Sequence, residues 1–141
     1  AGINRADRQL FREKLELLGM GLEDRMKEKV RLLSGGQRQA LTLFMAVIAK
    51  PKLLLLDEHT AALDPSAAKK VLELTDYFAE DEKLCTMMIT HNMKAALEHG
   101  NRTILMKGGQ IKMDISGEER EKMTVEKLIE KFDIEDDKML L

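Results

Sequence analysis

Four consecutive leucines at residues 53–56 constrain this fold most. Pro51 stands just before them and the acid pair Asp57-Glu58 just after. A short apolar run without polar alternation, bounded by a proline and by charges, reads as a buried strand. Asp64-Pro65 then has the form of a helix start, with Asp64 as N-cap and proline at the first helical position. Ala67, Val71, Leu74 and Phe78 form one apolar stripe behind it. Residues 84–90, LCTMMIT, make a second strand and end beside His91. Strand, helix and strand in that order predict an α/β protein with a largely parallel sheet. Ligands of such sheets gather at the carboxyl ends of the strands. Asp57, Glu58 and His91 are the residues found there.

The other elements follow from the same patterns. Residues 5–18 read as an amphipathic helix with Phe11, Leu15 and Leu18 on one face, ended by Gly19 and Gly21. Residues 22–31 are charged and read as a short helix plus a loop. Residues 36–50 read as a helix apolar almost all round, which must be buried, and Pro51 stops it. Asn92 caps a short helix that ends at Gly100. Residues 102–107 and 110–115 flank Gly108-Gly109 as a hairpin. Residues 124–132 read as a last amphipathic helix with Val125, Leu128 and Ile129 inward, followed by an acidic tail expected to fray.

Composition narrows the classes. The 141 residues are 44% hydrophobic and 34% charged, as in a soluble globular domain or a part of one. A net charge of −2 gives no attraction to nucleic acid or to an acidic membrane surface. One cysteine, Cys85, excludes an internal disulfide framework. No apolar run is long enough to cross a bilayer, and no signal peptide is visible. The chain opens Ala1-Gly2-Ile3 without a methionine, which fits processing or a cut from a longer protein.

Two features carry chemistry. Two acids after an apolar strand are costly to bury unless something pairs with them, and Mg²⁺ prefers such oxygen ligands. Asp57 would hold the ion and Glu58 would polarise a water as general base. A solvated acid pair at a strand end is the plainer reading. The second feature is Ser34, Gly35, Gly36 and Gln37 ahead of the apolar helix. Free N–H groups, a hydroxyl and the helix dipole make an anion site there, against the plainer reading of an ordinary glycine turn. His91 alone is more often a satisfied polar residue than a functional one. His59 and His99 carry less weight.

The order LSGGQ, LLLLDE, AALD, MITH, at residues 33–37, 53–58, 61–64 and 88–91, decides among these readings. The chain resembles the carboxyl-terminal part of the ATP-binding subunit of ATP-binding cassette (ABC) transporters. The resemblance implies a partial P-loop NTPase core, with a carboxyl-terminal β-hairpin and part of the helical subdomain. It divides the chain into residues 1–50 (part of the signature-bearing helical subdomain), 51–116 (catalytic-core portion) and 117–141 (carboxyl-terminal helices and tail). Ser34 and Gly36, with Gly35 and Gln37, would bind the γ-phosphate of an ATP held mainly by an opposite subunit. Asp57 would support Mg²⁺, Glu58 would activate the attacking water, and Asp64 belongs to the D-loop that couples two sites across the dimer. His91 would contact the γ-phosphate as the switch histidine. Implied partners are a second ATPase subunit, head to tail, and transmembrane permease subunits, with no nucleic acid and no direct membrane insertion. The implied location is the cytoplasmic face of the cell membrane.

Four departures matter. The phosphate-cradling GxxxxGK[ST] is absent from the sequence. The stacking aromatic and the Q-loop are absent too, so the chain is expected to begin inside the helical subdomain and to be inactive alone. His59 stands where many members have proline, a faint pointer to bacterial importers near amino-acid or aromatic-compound uptake. Two other classes compete with a transporter ATPase: a non-transport ABC ATPase of translation or DNA repair, and a non-catalytic module supplying its signature turn in trans. Loss of the P-loop strand would leave open strand edges, which predicts self-association or local rearrangement.

Overall fold

The structure is a computed structural model that describes residues 4–137. It is mixed α/β, with a small parallel pair of strands and a separate antiparallel pair. The chain divides into two compact units, Ala1–Met88 and Ile89–Leu141.

The first unit opens with α1 (Arg5–Glu16). Asn4 and Asp7 form a reciprocal capping box: Asp7 N–H donates to Asn4 Oδ1 at 2.9 Å, and Asn4 N–H donates to Asp7 Oδ2 at 3.0 Å. Gly19 and Gly21 take φ of 60° and 69°, where a side chain is disfavoured, and turn the chain out of the helix. Two short 3-10 turns, Leu22–Asp24 and Val30–Leu32, lead to α2 (Gly35–Ile48). After β1 (Leu53–Asp57) comes α3 (Pro65–Asp81), capped by Asp64 with Pro65 at its first position as the sequence requires. β2 (Cys85–Ile89) pairs with β1.

One core joins these elements. Leu15 and Leu18 meet Leu43 and Val47 of α2, Leu54 and Leu56 of β1, and Leu74 and Phe78 of α3. Burial along β1 alternates, and this corrects the expectation of a fully buried strand. Leu54 and Leu56 are buried, whereas Leu53 and Leu55 are 48% and 66% exposed. The same holds for α2, whose buried residues Gly36, Ala40, Leu43 and Val47 lie on one stripe while Met45 and Ile48 face out. Leu41 and Phe44 of α2 are only partly buried where they pack against the same core.

The second unit holds α4 (Met93–Glu98), with Asn92 Oδ1 accepting from Ala95 N–H at 3.0 Å. β3 (Arg102–Lys107) and β4 (Gln110–Ser116) form the predicted hairpin, with Lys107 opposite Gln110 and a register irregularity between Leu105 and Met106. Gly108 and Gly109 take φ of 56° and 72°, the positive pair that a tight two-residue turn demands. α5 (Gly117–Glu121) has no counterpart among the predicted elements, because five polar residues carry no periodic signal. α6 (Val125–Asp137) runs past residue 132 into the segment expected to fray. The last four residues of that tail lie outside the described residues. Leu128 is buried against Met113 and Ile115, but Ile129 is exposed, so the inward stripe of α6 is narrower than predicted. Lys107 Nζ lies 4.4 Å from the Phe132 ring centroid and donates to the Phe132 carbonyl at 2.9 Å, tying β3 to α6.

Candidate functional site

The glycine turn is built as a rigid start to α2. Gln37 N–H donates to Ser34 Oγ at 3.1 Å, and Ser34 N–H donates to Gln37 Oε1 at 3.0 Å. The Gln37 amide is engaged on both atoms, since Arg25 donates to its Oε1 and its Nε2 donates to the Met20 carbonyl, each at 2.9 Å. Gln37 therefore anchors the turn to the preceding loop. Ser34 Oγ accepts in this arrangement, which leaves its own proton to donate outward. The first helical bond of this turn runs from Arg38 N–H to the Ser34 carbonyl. The N–H groups of Gly35 and Gly36 precede it and lack partners within the helix.

The two glycines have a second reason to be there. A Cβ on Gly36 would stand 2.9 Å from Ala67 Cβ in the first turn of α3, and one on Gly35 would stand 3.2 Å from Leu63 Cδ2. The turn is thus pressed against the loop that descends from Asp57-Glu58. That loop is also ordered. Ala61 N–H donates to the Glu58 carbonyl at 3.0 Å and Leu63 N–H to the Thr60 carbonyl at 3.1 Å, giving two successive turns. Asp64 Oδ1 then accepts from Ser66 N–H at 3.1 Å and Ala67 N–H at 3.0 Å, starting α3.

Glu58 sits at φ 46°, a left-handed backbone that costs a non-glycine residue about 1 kcal/mol or more. Asp57 is exposed and Glu58 half-buried. Both line a groove of about 410 Å³ with Gln39 and Thr42 of α2 and with His59 and Leu63 of the loop. A magnesium ion takes one or two carboxylates and completes its octahedron with waters and substrate phosphates. An exposed aspartate at a strand end fits that donor set. No group of three or more acidic, histidine or cysteine ligands gathers among the described residues.

The first unit therefore carries two separate groups, Asp57 and Glu58 in the groove, and the turn of residues 34–37 against Leu63 and Ala67 on either side of Asp64. His91 belongs to the second unit, exposed directly after β2. Its neighbours are fixed, since Asn92 N–H donates to Thr90 Oγ1 at 3.0 Å and Asn92 caps α4. Sequence reasoning gave little weight to His59, yet its Nε2 lies 3.0 Å from Oγ1 of buried Thr75 on α3. Nothing in the spacing of residues 59 and 75 signals that contact.

Comparisons with known proteins agree with one another. A family model described as ABC transporter matches residues 4–61. The chain is 47% identical over 119 residues to the tyrosine transport ATP-binding protein of Clostridioides difficile (strain R20291), covering 84% of this chain and 47% of that protein. It is 35% identical over 130 residues to a methionine import ATP-binding protein of Oceanobacillus iheyensis, covering 88% of this chain and 38% of that one. Among solved structures it is similar to an inward-facing metal-chelate type ABC transporter, with a TM-score of 0.70 at 31% identity over 94% of this chain and 51% of the other. A dimeric ATP-binding cassette in a post-hydrolysis state, bound to ADP and Pi, matches with a TM-score of 0.62 at 26% identity, covering 82% of this chain and 50% of that one. The chain spans less than half the length of both curated relatives.

Proposed function

Because this chain belongs to the ABC transporter ATP-binding family and corresponds to part of such an ATPase, we propose that it supplies the signature turn and the hydrolytic acid of an ATPase driving amino-acid import. Residues 1–50 serve as part of the helical subdomain, 51–116 as the catalytic-core portion and 117–141 as the carboxyl-terminal helices. The observation that carries the reading is the packing of the Ser34 turn onto the loop that follows Asp57-Glu58. It sets an anion-binding helix start against Leu63 and Ala67, at the far end of the loop that begins at the carboxylate pair. Relatives that act in tyrosine transport and methionine import support the choice of cargo class.

In this reading the Ser34 hydroxyl and the N–H groups of Gly35 and Gly36 donate to the γ-phosphate of an ATP held by a second ATPase subunit, packed head to tail. Gln37 holds that turn in shape. Glu58 accepts a proton from the water that attacks phosphorus, the bond to the β-phosphate oxygen breaks, and ADP and phosphate result. His91 donates to the γ-phosphate. Asp64 keeps the loop between Glu58 and α3 in register. Mg²⁺, held by Asp57, would neutralise phosphate charge. The sequence holds no GxxxxGK[ST], so the phosphate cradle and turnover itself require residues outside these 141. Permease subunits hold the ATPase at the cytoplasmic face of the membrane. No helix among the described residues is long and apolar enough to cross it.

The test is ATP hydrolysis by the complete ATPase carrying this sequence. Glu58→Gln should lower turnover by about 10²–10⁴-fold while nucleotide binding stays intact, since only the proton acceptor is lost. Equal turnover in the variant and the parent would sink the assignment.

A further inference from the structure

His59 and Thr75 are joined by a side-chain hydrogen bond between the loop and α3. Thr75 Oγ1 donates its one proton to the Val71 carbonyl at 2.9 Å. The hydroxyl can therefore only accept from the imidazole nitrogen 3.0 Å away. With the Thr75 proton on Val71, the matching ring form is the one in which His59 Nε2 carries a hydrogen and donates to Thr75. Thr75 is buried and lies one turn beyond Val71, a core residue of α3. His59 is thus tied to a buried position of α3.

The pinned residue is the second of a four-residue turn. Glu58 is its first, and the Glu58 carbonyl accepts from Ala61 N–H to close it. Glu58 itself holds a left-handed φ of 46°, a conformation that persists only where the surroundings enforce it. The turn bond from Ala61 and the ring anchor through His59 both act on it. We propose that His59 and Thr75 are positioning residues that hold the Glu58 backbone in its left-handed conformation and so aim its carboxylate. Neither residue touches substrate in this account. The inference rests on Glu58 acting as the general base, and its test contains a part that does not.

In the complete ATPase, Thr75→Val keeps the side-chain shape and removes the hydroxyl. It should lower kcat by up to about 10²-fold, the scale of a misplaced catalytic group, and leave the KM for ATP within about twofold. Thr75→Ser restores the hydroxyl and should recover most of kcat. His59→Ala should match Thr75→Val, and the double variant should be no worse than either single one, because both remove the same bond. Unchanged kcat in both single variants, or additive losses, would overturn the proposal. Two readouts need no turnover. Nitrogen chemical shifts should report the Nε2–H form of His59, and crystal structures of Thr75→Val and His59→Ala should show Glu58 leaving the positive-φ region. An Nδ1–H ring, or an unmoved Glu58 in both, overturns the positioning role even if the enzyme proves inactive. Should Glu58→Gln match the parent in turnover while these structural shifts occur, the general-base reading fails and the anchor stands.

Discussion

At the scale of single residues, the glycines of the signature turn do two separate things. Their N–H groups open α2 toward an anion, and their missing side chains let the turn touch α3. Gly36 isolates the second effect, because an added Cβ would meet Ala67 Cβ at 2.9 Å. Ala67 has no flexible side chain to move, so the helices themselves must separate. Gly36→Ala should therefore destabilise the fold by about 1–3 kcal/mol, the usual cost of overpacking, despite alanine's better helix propensity. Denaturant unfolding of Gly36→Ala against the parent checks this, and equal midpoints would refute the close packing. The motif was legible in the sequence, but this reason for it was not. Spacing indicates which residues follow a strand or open a helix. It does not indicate that residue 36 would press on residue 67, or that residue 59 would reach residue 75.

At the scale of elements, local chemistry was read well and coverage was not. Asp64-Pro65 starts α3, Asn92 caps α4, and Gly108-Gly109 turns the hairpin, all from preferences local to a few residues. The leucine run became β1, but half of it faces outward, because burial depends on what packs on a strand and not on the strand alone. The hairpin carries one further element-scale consequence. Arg102 grips Asp114 through both carboxylate oxygens, bridging β3 and β4 diagonally. Those hydrogen bonds, ahead of the direct charge attraction, hold the Asp114 carboxyl below its ordinary range. A carboxyl depressed in the folded state stabilises at pH above its unfolded value, and that support is lost as pH falls through the lower folded value. The pair is largely solvent-exposed, so the effect is small and weakens with salt. Carbon NMR titration should place the Asp114 midpoint below the usual carboxylate value in the parent and shift it upward in Arg102→Gln. Identical midpoints in the two proteins would deny the pairing in solution.

At the scale of the whole molecule, the exposed side of the first sheet sets how the 141-residue chain behaves in solution. Leu54, Leu56 and Met88 turn toward the core, which leaves Leu53, Leu55 and Met87 on the opposite side, the last 55% exposed. Met45 and Ile48 on α2 add further uncovered apolar surface. A two-stranded sheet also offers unpaired backbone along its strands. Apolar surface combined with open strand edges recruits other chains, so this chain by itself should self-associate as its concentration rises. Leu55 is the sharpest probe. It is 66% exposed, so Leu55→Lys removes little core packing while placing a charge at the centre of that face. Sedimentation velocity should show the parent forming larger species and Leu55→Lys shifted toward monomer, with unfolding midpoints nearly equal. Leu10→Lys alters an exposed leucine of α1, 51% accessible and on a different element, and should leave association unchanged. If the parent stays monodisperse across the concentration range, the face is tolerated by water and the argument from exposure fails. If Leu10→Lys disperses the assemblies as well as Leu55→Lys does, general surface charge governs association and the sheet face has no special part.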